Sequence, residues 1–363
     1  MSRIAIDARR IRQSTGRYSR ELLRELQKID SENEYHVIIH TKDQTHWTPT
    51  AENFILHVVP YDSYTLGEQL GFARFLQKLK PDLVHFVMPQ QPVLYFGKRI
   101  TTIHDLTLVR FQNLDKNKVI YTIEQTIFKL LLKHVAKRSK KIITPTKYVK
   151  KDVSEYTGIS PEKVIVTYEA QAPLDKLPHS PVKSLIKKDF MFYVGNAFPH
   201  KNLGRLIEAF KLLKEKHPTL HLALAGKKEF FYEQLEEEYT DVKNLHFLGF
   251  ISDEQLAWMY KNAKAYVFPS LSEGFGLPGI DVMQHGLPMA SSNATCLPEV
   301  YGDAAHYFDP ESTEDIARAT DEVLRSKSRQ QNLIKNGYQR LNKFSWGKMA
   351  AKTHQAYLDI LEK

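Results

Sequence analysis

A glycine-rich segment at residues 269–281, which reads PSLSEGFGLPGID, carries the residue types best suited to chemistry. It follows an apolar run at 265–268 and precedes a helical pattern, so it predicts a turn between a strand and a helix. Its glycines let backbone amides approach a ligand, and the start of a helix favours an anion such as phosphate. The carboxylates of Glu273 and Asp281 add two groups that accept hydrogen bonds from hydroxyls. The pattern suits a ligand such as a nucleotide sugar; in the alternative interpretation both acids only cap the turn and the helix.

Three further positions have the type and placement of ligand contacts. Lys201 lies between a predicted strand and an amphipathic helix, where its ammonium group would neutralise phosphate; the alternative is a surface lysine. His104 comes at the end of an apolar run, where it either lines a site or is a structural histidine. Gly16 opens a helix after a polar loop, so backbone amides there would face a phosphate. A plain capped turn, with Ser14 or Thr15 as the cap, is the alternative at that place.

The elements that must position these residues alternate between short apolar strands and amphipathic helices. Such alternation is typical of parallel sheets covered by helices on both faces. Ligands of such sheets bind at the carboxyl ends of the strands. The predicted strands lie at residues 4–7, 36–40, 55–59, 83–87, 100–104, 142–144, 164–167, 191–195, 220–225, 245–248, 265–268, 288–291 and 306–308.

The chain of 363 residues is long enough for two domains. A segment at 170–188, rich in proline, serine and lysine and without periodicity, is the predicted linker between them. We therefore expect one α/β domain at 1–172 and a second at 173–344, each with its own core. A cleft between their facing sheets is the expected ligand site.

Basic residues are concentrated in one stretch of the sequence. Lysine and arginine number 51 against 42 acidic residues, a net charge of +9, and segment 116–151 alone holds eleven basic residues and one acid. Within it Lys129, Lys133 and Lys137 share one face of a predicted helix, with apolar residues between them. Such a face suits an anionic membrane surface, and the alternative is a solvated helix flank. The aromatic residues there lack the stacking pattern of a nucleic-acid platform, so no nucleic-acid partner is expected.

The remaining composition narrows the class of protein. The single cysteine, Cys296, excludes an intramolecular disulfide and favours a reducing compartment. The sequence predicts no transmembrane helix and no signal peptide, so we expect a cytoplasmic protein, peripheral on the inner face of the membrane. No Asp-x-Asp triplet and no zinc-type histidine pair with a suitable third ligand occur, so neither a metal nor a cofactor is expected. A dinucleotide-dependent dehydrogenase is excluded, because no Gly-x-Gly-x-x-Gly follows the first strand.

Several motifs, in one order along the chain, resemble a known family. They are residues 6–9 (IDAR), 16–23 (GRYSRELL), 103–106 (IHDL), 193–196 (YVGN), 200–202 (HKN), 248–253 (LGFISD), 273–281 (EGFGLPGID), 286–288 (GLP), 297–305 (LPEVYGDAA) and 344–346 (FSW). Nearly the whole chain thereby resembles the retaining glycosyltransferases of family 4, in particular the branch that contains O-antigen mannosyltransferases. The resemblance implies the α/β GT-B fold, with two Rossmann-like domains facing across a cleft and the helix at 345–363 packed back on the first.

The resemblance also implies site residues. Catalytic roles fall on His104 at the sugar side of the cleft, on Lys201 at the diphosphate and on Glu273 at the hydroxyls of the donor sugar. Two positions depart from the family pattern: Asn196 stands where a basic residue is common, and Asp281 stands where glutamate usually binds ribose. The implied donor-binding residues are Gly16, Asn196, Lys201, Arg205, Lys227, Phe250, Ile251, Glu273, Gly274, Phe275, Gly276, Leu277 and Asp281.

These features predict a retaining, metal-independent glycosyltransferase of cell-surface polysaccharide synthesis. It is expected to move a hexose from a nucleotide sugar, first GDP-mannose, to a glycan or polyprenol-linked acceptor. UDP-glucose and UDP-N-acetylglucosamine are alternative donors, and an epimerase on the same scaffold would need acid and base groups that we do not find. From another class, the alternative is a non-catalytic protein that binds membrane or nucleic acid through segment 116–151 and has a degenerate sugar site.

Overall fold

Two parallel β-sheets, each accompanied by helices, organise the chain in the computed structural model. The structure describes residues 1–12, 15–111, 118–172, 174 and 177–362, with 118–121 described by their backbone. The chain divides into two units, and the main division, between Glu169 and Ala170, comes slightly before the predicted boundary at residue 172. The first unit comprises Met1–Val109, Val119–Glu169 and Ser345–Lys363, and the second comprises Arg110–Lys118 and Ala170–Phe344.

The first unit is built on a parallel sheet of seven strands. These strands are β1 (Arg3–Asp7), β2 (Glu34–His40), β3 (Phe54–Val59), β4 (Leu83–Phe86), β5 (Arg99–Thr102), β6 (Lys141–Thr144) and β7 (Val164–Val166). They lie in the order β3-β2-β1-β4-β5-β6-β7, so the chain changes direction across the sheet between β1 and β4. Ligand sites of doubly wound sheets lie at the carboxyl ends of strands beside such a switch point. β5 ends at Thr102, so His104 lies in the following loop and not at the end of a strand as predicted.

Helices connect the strands of this first sheet. They are α1 (Gly16–Ile29), α2 (Ala73–Leu79), α3 (Thr107–Arg110), α4 (Lys118–Arg138) and α5 (Lys147–Thr157). A π-helical segment, Gly67–Phe72, leads directly into α2. Within that wider turn the carboxylate of Glu68 is buried and accepts a hydrogen bond from Arg9 at 2.7 Å. The local departure from α-helical geometry therefore coincides with a buried ion pair.

Helix α4 buries one face in the core of the first unit. Leu132 and Ala136 are fully buried and pack with Ile142 and Val149, which come from β6 and α5. Other apolar side chains of α4 remain on its surface. Lys116, at the start of the basic segment, lies outside the described residues. Among the helices that the structure describes, α4 included, none is long and apolar enough to cross a membrane.

The second unit has a parallel sheet of six strands. They are β8 (Phe190–Val194), β9 (His221–Ala225), β10 (Leu245–Gly249), β11 (Ala265–Phe268), β12 (Met289–Ser292) and β13 (His306–Phe308). Their order is β10-β9-β8-β11-β12-β13, so the switch point lies between the neighbouring strands β8 and β11. Every predicted strand of both units is present, with ends within two residues of the prediction. The predicted pair of α/β, Rossmann-like domains is therefore confirmed.

Seven helices of the second unit are described. They are α6 (Leu203–Lys216), α7 (Phe230–Glu238), α8 (Asp253–Asn262), α9 (Leu277–Gln284), α10 (Leu297–Tyr301), α11 (Thr313–Arg325) and α12 (Lys327–Leu341). Helix α9 begins directly after the glycine-rich turn, with Pro278 in its first turn. Proline is tolerated there because the first N–H groups of a helix have no partner within it. The turn therefore leads straight into the start of a helix, as the sequence predicted.

The last helix, α13 (Trp346–Leu361), follows the second unit in sequence but belongs to the first. It packs beside α1. Polar contacts fix it there. His354 Nε2 lies 2.8 Å from Asp30 Oδ2, the hydroxyl of Tyr357 lies 2.6 Å from His85 Nδ1, and Lys98 Nζ donates to the Ile360 carbonyl at 3.2 Å. Tyr357 is fully buried, so both its packing and its hydrogen bond contribute to stability.

Asp30 gives the stability of the first unit a pH dependence. Burial alone would raise the pKa of its carboxyl, but hydrogen bonds from Asn33, Tyr35 and the backbone outweigh burial and lower the pKa from 3.8 to about 2. A carboxyl with a depressed pKa in the folded state stabilises the fold above its ordinary pKa and loses that contribution as the pH falls. We expect the thermal unfolding midpoint to drop between about pH 4 and pH 2 for this reason.

The Asp30→Asn variant tests this. It should melt at a lower temperature than the wild type at neutral pH and show a weaker pH dependence below about pH 4. Asp359→Asn is the matched control, because Asp359 is an exposed acid of α13 that bonds only locally, to Gln355 at 2.9 Å. Thermal melts of the three proteins across the acid range provide the measurement, and identical acid profiles for Asp30→Asn and the wild type contradict the prediction.

Candidate active site

Two loops meet at the carboxyl edge of the second sheet, one after β8 and one after β11. Lys201 lies in the first loop and Glu273 in the second, and Lys201 Nζ donates a hydrogen bond to Glu273 Oε1 at 2.5 Å. Both side chains are largely shielded from solvent, with 14% and 12% exposed. The structure therefore brings together the cation and the carboxylate that the sequence placed in one site, although 72 residues separate them.

Asn202 joins the two loops. Its backbone has φ of 61°, a left-handed conformation that asparagine tolerates better than most residues. Its side-chain amide donates to the carbonyl oxygens of Pro269 at 3.1 Å and Pro310 at 2.8 Å. The backbone N–H of Leu271 also donates to the carbonyl of His200 at 2.7 Å. The position of Lys201 relative to Glu273 is thus set by backbone and amide hydrogen bonds and not by the ion pair alone.

The backbone of Glu273 is held from its other side by the loop that precedes α10. The Glu273 N–H donates to Thr295 Oγ1 at 3.1 Å, and its carbonyl accepts from Cys296 Sγ at 3.2 Å. Burial, and next the charge of Glu273, raise the pKa of the Cys296 thiol, so the thiol stays protonated and remains a donor. Thr295 itself has a positive φ of 54°. No sequence pattern marked Thr295 and Cys296 as site residues, because their side chains bond to backbone atoms of Glu273, and backbone atoms carry no sequence signal.

Gly276 sits where no other residue fits without strain. Its φ is 85°, and a Cβ built on it would lie 2.3 Å from the hydroxyl oxygen of Tyr301. That hydroxyl donates to the Gly276 carbonyl at 2.6 Å. The fully buried Tyr301 thereby fixes the residue that caps the start of α9. The positive end of the helix dipole at such a start favours an anion, which is the role that the sequence assigned to this turn. Gly274 and Phe275 are buried within the turn, and Leu277 begins the helix half-buried.

Asp281, the second predicted carboxylate, has a different setting. It is buried in α9, and its Oδ1 accepts the backbone N–H of Ala172 at 2.8 Å. The structure therefore gives it a backbone contact with the chain segment that begins the second unit. Its predicted contact with ribose stays a prediction.

The remaining predicted donor residues differ in how directly they join this site. Arg205 donates to Asn202 Oδ1 at 2.8 Å and to the Pro310 carbonyl at 3.1 Å, so it supports the loop of Lys201. Lys227 is exposed and pairs with Glu229 at 3.0 Å. Phe250 is exposed after β10, and the neighbouring Ile251 is half-buried.

Asn196 lies in the loop after β8 and makes hydrogen bonds with residues close to it in sequence. Its Oδ1 accepts the N–H of Phe198 at 3.4 Å, and its carbonyl accepts from the hydroxyl of Tyr193 at 3.0 Å. The nearby His200 is half-buried; burial, and then the charge of Lys201, lower its pKa to about 3. His200 is therefore neutral at physiological pH, and Lys201 is the cation of this loop.

Among the described residues, no cluster of three His, Cys, Asp or Glu side chains could hold a metal ion.

Two predicted residues belong to the first unit. Gly16 begins α1, and a Cβ there would lie 1.9 Å from the carbonyl oxygen of Ile11, so only glycine fits the close approach of the backbone. Thr15 occupies the capping position but makes no capping hydrogen bond; its hydroxyl instead donates to Met88 Sδ at 3.2 Å. Ser14 lies outside the described residues. The close approach of the Ile11 carbonyl therefore requires a glycine at the start of α1, independently of any bound phosphate.

His104 lies in the loop after β5, and both of its ring nitrogens have partners. Nδ1 lies 3.3 Å from Glu169 Oε1, and Nε2 lies 3.1 Å from the carbonyl oxygen of Val87. The ring also packs edge-on against Tyr18, with centroids 4.9 Å apart. Sequence reasoning missed Glu169, since it lies 65 residues from His104 and outside every motif.

The glycine-rich turn yields a prediction about stability. Gly276→Ala should lower the thermal unfolding midpoint more than Gly249→Ala, because both glycines have a positive φ but only Gly276 faces a clash. At Gly249 the nearest atom to an added Cβ is Lys228 Cε at 3.6 Å, an ordinary contact. A left-handed alanine costs roughly 1–2 kcal/mol, and overpacking adds about 1–3 kcal/mol. Thermal melts of the two variants give the comparison, and equal midpoints would show that Tyr301 does not restrict the turn.

Comparisons with known proteins agree with this geometry. Residues 179–340 match the family model described as Glycosyl transferases group 1, and residues 15–170 match the model described as Glycosyltransferase Family 4. The first match lies within the second unit, the other lies mainly in the first unit, and together they span most of the chain.

Relatives and solved structures point the same way. The chain is 26% identical to the O-antigen chain mannosyltransferase B of Escherichia coli over 310 residues, which is 82% of this chain and 79% of that protein. It is similar in fold to sucrose-phosphate synthase from Thermosynechococcus elongatus, with a TM-score of 0.77, 17% identity and full coverage of both chains. It is also similar in fold to Anabaena Alr3699/HepE in complex with UDP-glucose, with a TM-score of 0.73 and 13% identity over 99% of this chain and 100% of that one. The chain belongs to the GT-B glycosyltransferases of family 4, the group 1 glycosyl transferases.

Proposed function

We propose that this glycosyltransferase is a retaining hexosyltransferase that moves mannose from GDP-mannose to a glycan or polyprenol-linked acceptor. The observation that carries the proposal is the Lys201–Glu273 pair beside the glycine-rich turn. In a nucleotide sugar, the anomeric carbon joins the diphosphate directly to the sugar ring. A cation for the phosphate and a carboxylate for the sugar hydroxyls must therefore lie close together, as these two side chains do.

Each residue of the pair has a distinct task in the proposed reaction. Lys201, with the amides at the start of α9, neutralises the diphosphate, and Glu273 accepts hydrogen bonds from sugar hydroxyls. No metal ion is required in this scheme. In the same-face substitution that we propose, the bond from the anomeric carbon to the diphosphate oxygen breaks and a bond to the acceptor oxygen forms. The acceptor proton passes to the leaving diphosphate, so the protein mainly positions the reactants and stabilises charge.

The choice of donor follows from the relatives. The mannosyltransferase relative from Escherichia coli supports mannose, and the UDP-glucose complex of the Anabaena protein supports a uridine nucleotide. A thermal-shift screen against GDP, UDP, ADP and their sugars separates these possibilities, because a ligand stabilises in proportion to RT ln(1 + [L]/Kd). Selective stabilisation by GDP and GDP-mannose supports the first choice, and stabilisation by the uridine compounds instead replaces it.

Substitutions in the ion pair test the catalytic assignment. Glu273→Gln and Lys201→Ala should each lower kcat/KM by about a hundredfold or more, the usual size when one charge-stabilising group is lost. Lys211→Ala is the matched control, because Lys211 forms a solvent-exposed pair with Glu208 on α6 at 2.9 Å and should keep full activity. Transfer assays with radiolabelled donor, repeated in EDTA, give the measurement. Full activity in either site variant, or loss of activity in EDTA, contradicts the scheme.

We also propose that the enzyme works at the inner face of the membrane and docks through α4. The side chains of Ile123, Ile127 and Leu130 are 56%, 59% and 64% exposed. Their spacing places them on one side of the helix, which is an unusual exposure for apolar residues. Lys133 and Lys137 are exposed on the flank of this stripe. An anionic bilayer matches both features, since apolar side chains enter the headgroup region while lysines contact lipid phosphates.

Lysine and apolar variants test the docking separately. Reversal of charge at Lys129, Lys133 and Lys137 should weaken binding to phosphatidylglycerol vesicles at least about tenfold, since each lysine near the surface contributes about 1 kcal/mol. Replacement of Ile127 and Leu130 by serine should weaken binding to the same vesicles. Leu212→Ser is the control, because Leu212 is a partly exposed leucine of α6.

Co-sedimentation gives the partition, and the thermal shift by donor should stay unchanged in all of these proteins. Unchanged partition in both sets of variants overturns the membrane proposal. Vesicle binding combined with no sugar transfer from any donor favours the alternative of a non-catalytic binding protein.

A further inference from the structure

His104 and Glu169 form a shielded contact that the proposed chemistry does not explain. The side chain of Glu169 is 6% exposed and that of His104 is 13% exposed. A carboxylate removed from water in this way is costly unless a partner compensates its charge. Nδ1 of His104, at 3.3 Å from Glu169 Oε1, is such a partner.

Both partners of the imidazole are hydrogen-bond acceptors. The Val87 carbonyl, 3.1 Å from Nε2, can only accept, and so can an ionised carboxylate at Nδ1. An imidazole satisfies two acceptors only when both of its nitrogens carry hydrogen. We propose that Glu169 is a positioning residue that holds His104 as an imidazolium.

Other titratable groups around the ring do not take this role. Tyr18, from α1, packs edge-on against His104, and burial raises its pKa, so it stays neutral. For His85 on β4, burial and then the charge of His104 lower the pKa to about 3, so it stays neutral too. Asp105 follows His104 in the chain, and its Oδ1 accepts a backbone N–H at 2.7 Å. The carboxylate that contacts the imidazole ring is that of Glu169.

This assignment rests on the proposed function, and it changes the role of His104. An imidazolium has no lone pair with which to accept the proton of the acceptor hydroxyl. That proton therefore passes to the leaving diphosphate oxygen, as in the same-face substitution above, and His104 is not a general base. Its ring is instead held in one orientation, because an acceptor faces each of its two nitrogens.

Spectra of ring-¹⁵N-labelled histidine test the protonation state directly. The signals of His104 are identified by their loss in His104→Gln. At pH 7 the wild type should show two protonated ring nitrogens, with nearly equal shifts, whereas Glu169→Gln should show the widely split pattern of a neutral ring. Glu155→Gln is the control, because Glu155 is exposed and lies 3.9 Å from Lys151 at the surface of the same unit; it should leave the signals unchanged.

Kinetics separate a positioning role from a merely structural one. Glu169→Gln should lower kcat about tenfold and leave the donor KM within about twofold, and it should cost nothing further in a His104→Gln background. Glu169→Asp keeps the charge and should restore both the imidazolium spectrum and most of kcat.

A neutral His104 in the wild type, or an imidazolium that persists in Glu169→Gln, overturns the inference. If the wild type transfers no sugar from any donor, the proposed function fails, while the spectra still decide whether Glu169 holds the imidazolium.

Discussion

The ion pair between Lys201 and Glu273 is the interaction on which the second unit's site depends. Two shielded opposite charges stabilise each other, but either of them left alone at that place would be strongly unfavourable. The surrounding residues reflect this constraint, since Asn202, Thr295 and Tyr301 each hold a backbone atom of one of the two loops. A site organised in this way needs little further ordering when a charged ligand enters.

The strands and the meeting of the two site loops could be predicted from the sequence. Buried parallel strands leave continuous apolar runs, and loops after adjacent strands of such a sheet meet at one edge. The contacts that fix the loops could not be predicted, because Asn202 bonds to carbonyls 67 and 108 residues away and those carbonyls carry no sequence signal. The hydrogen bond of Asp281 could not be predicted for the same reason, because its partner is the backbone N–H of Ala172. Apolar periodicity also failed to show that Ile127 is exposed, since α4 has apolar residues on both of its faces.

Buried polar groups in the first unit are also paired with one another, as Lys201 and Glu273 are in the second unit. His85 lies between the hydroxyls of Tyr357 and Thr102, and Tyr18 shares the Thr102 hydroxyl at 3.0 Å. These groups come from two strands and two helices, so one hydrogen-bonded chain fixes the register of four elements at once. Satisfied buried networks specify a single arrangement more strictly than apolar packing does. Tyr18 also packs against His104, so the same network supports a site residue.

The placement of α13 has a consequence for the order of events during translation. The ribosome completes residues 170–344 before it makes the helix that covers α1 and engages His85 and Asp30. The amino-terminal unit is therefore made first but finished last, in contrast to the usual order in which an earlier domain matures before a later one. A nascent chain halted before residue 346 leaves that surface uncovered, with the partners of His354 and Tyr357 exposed to water.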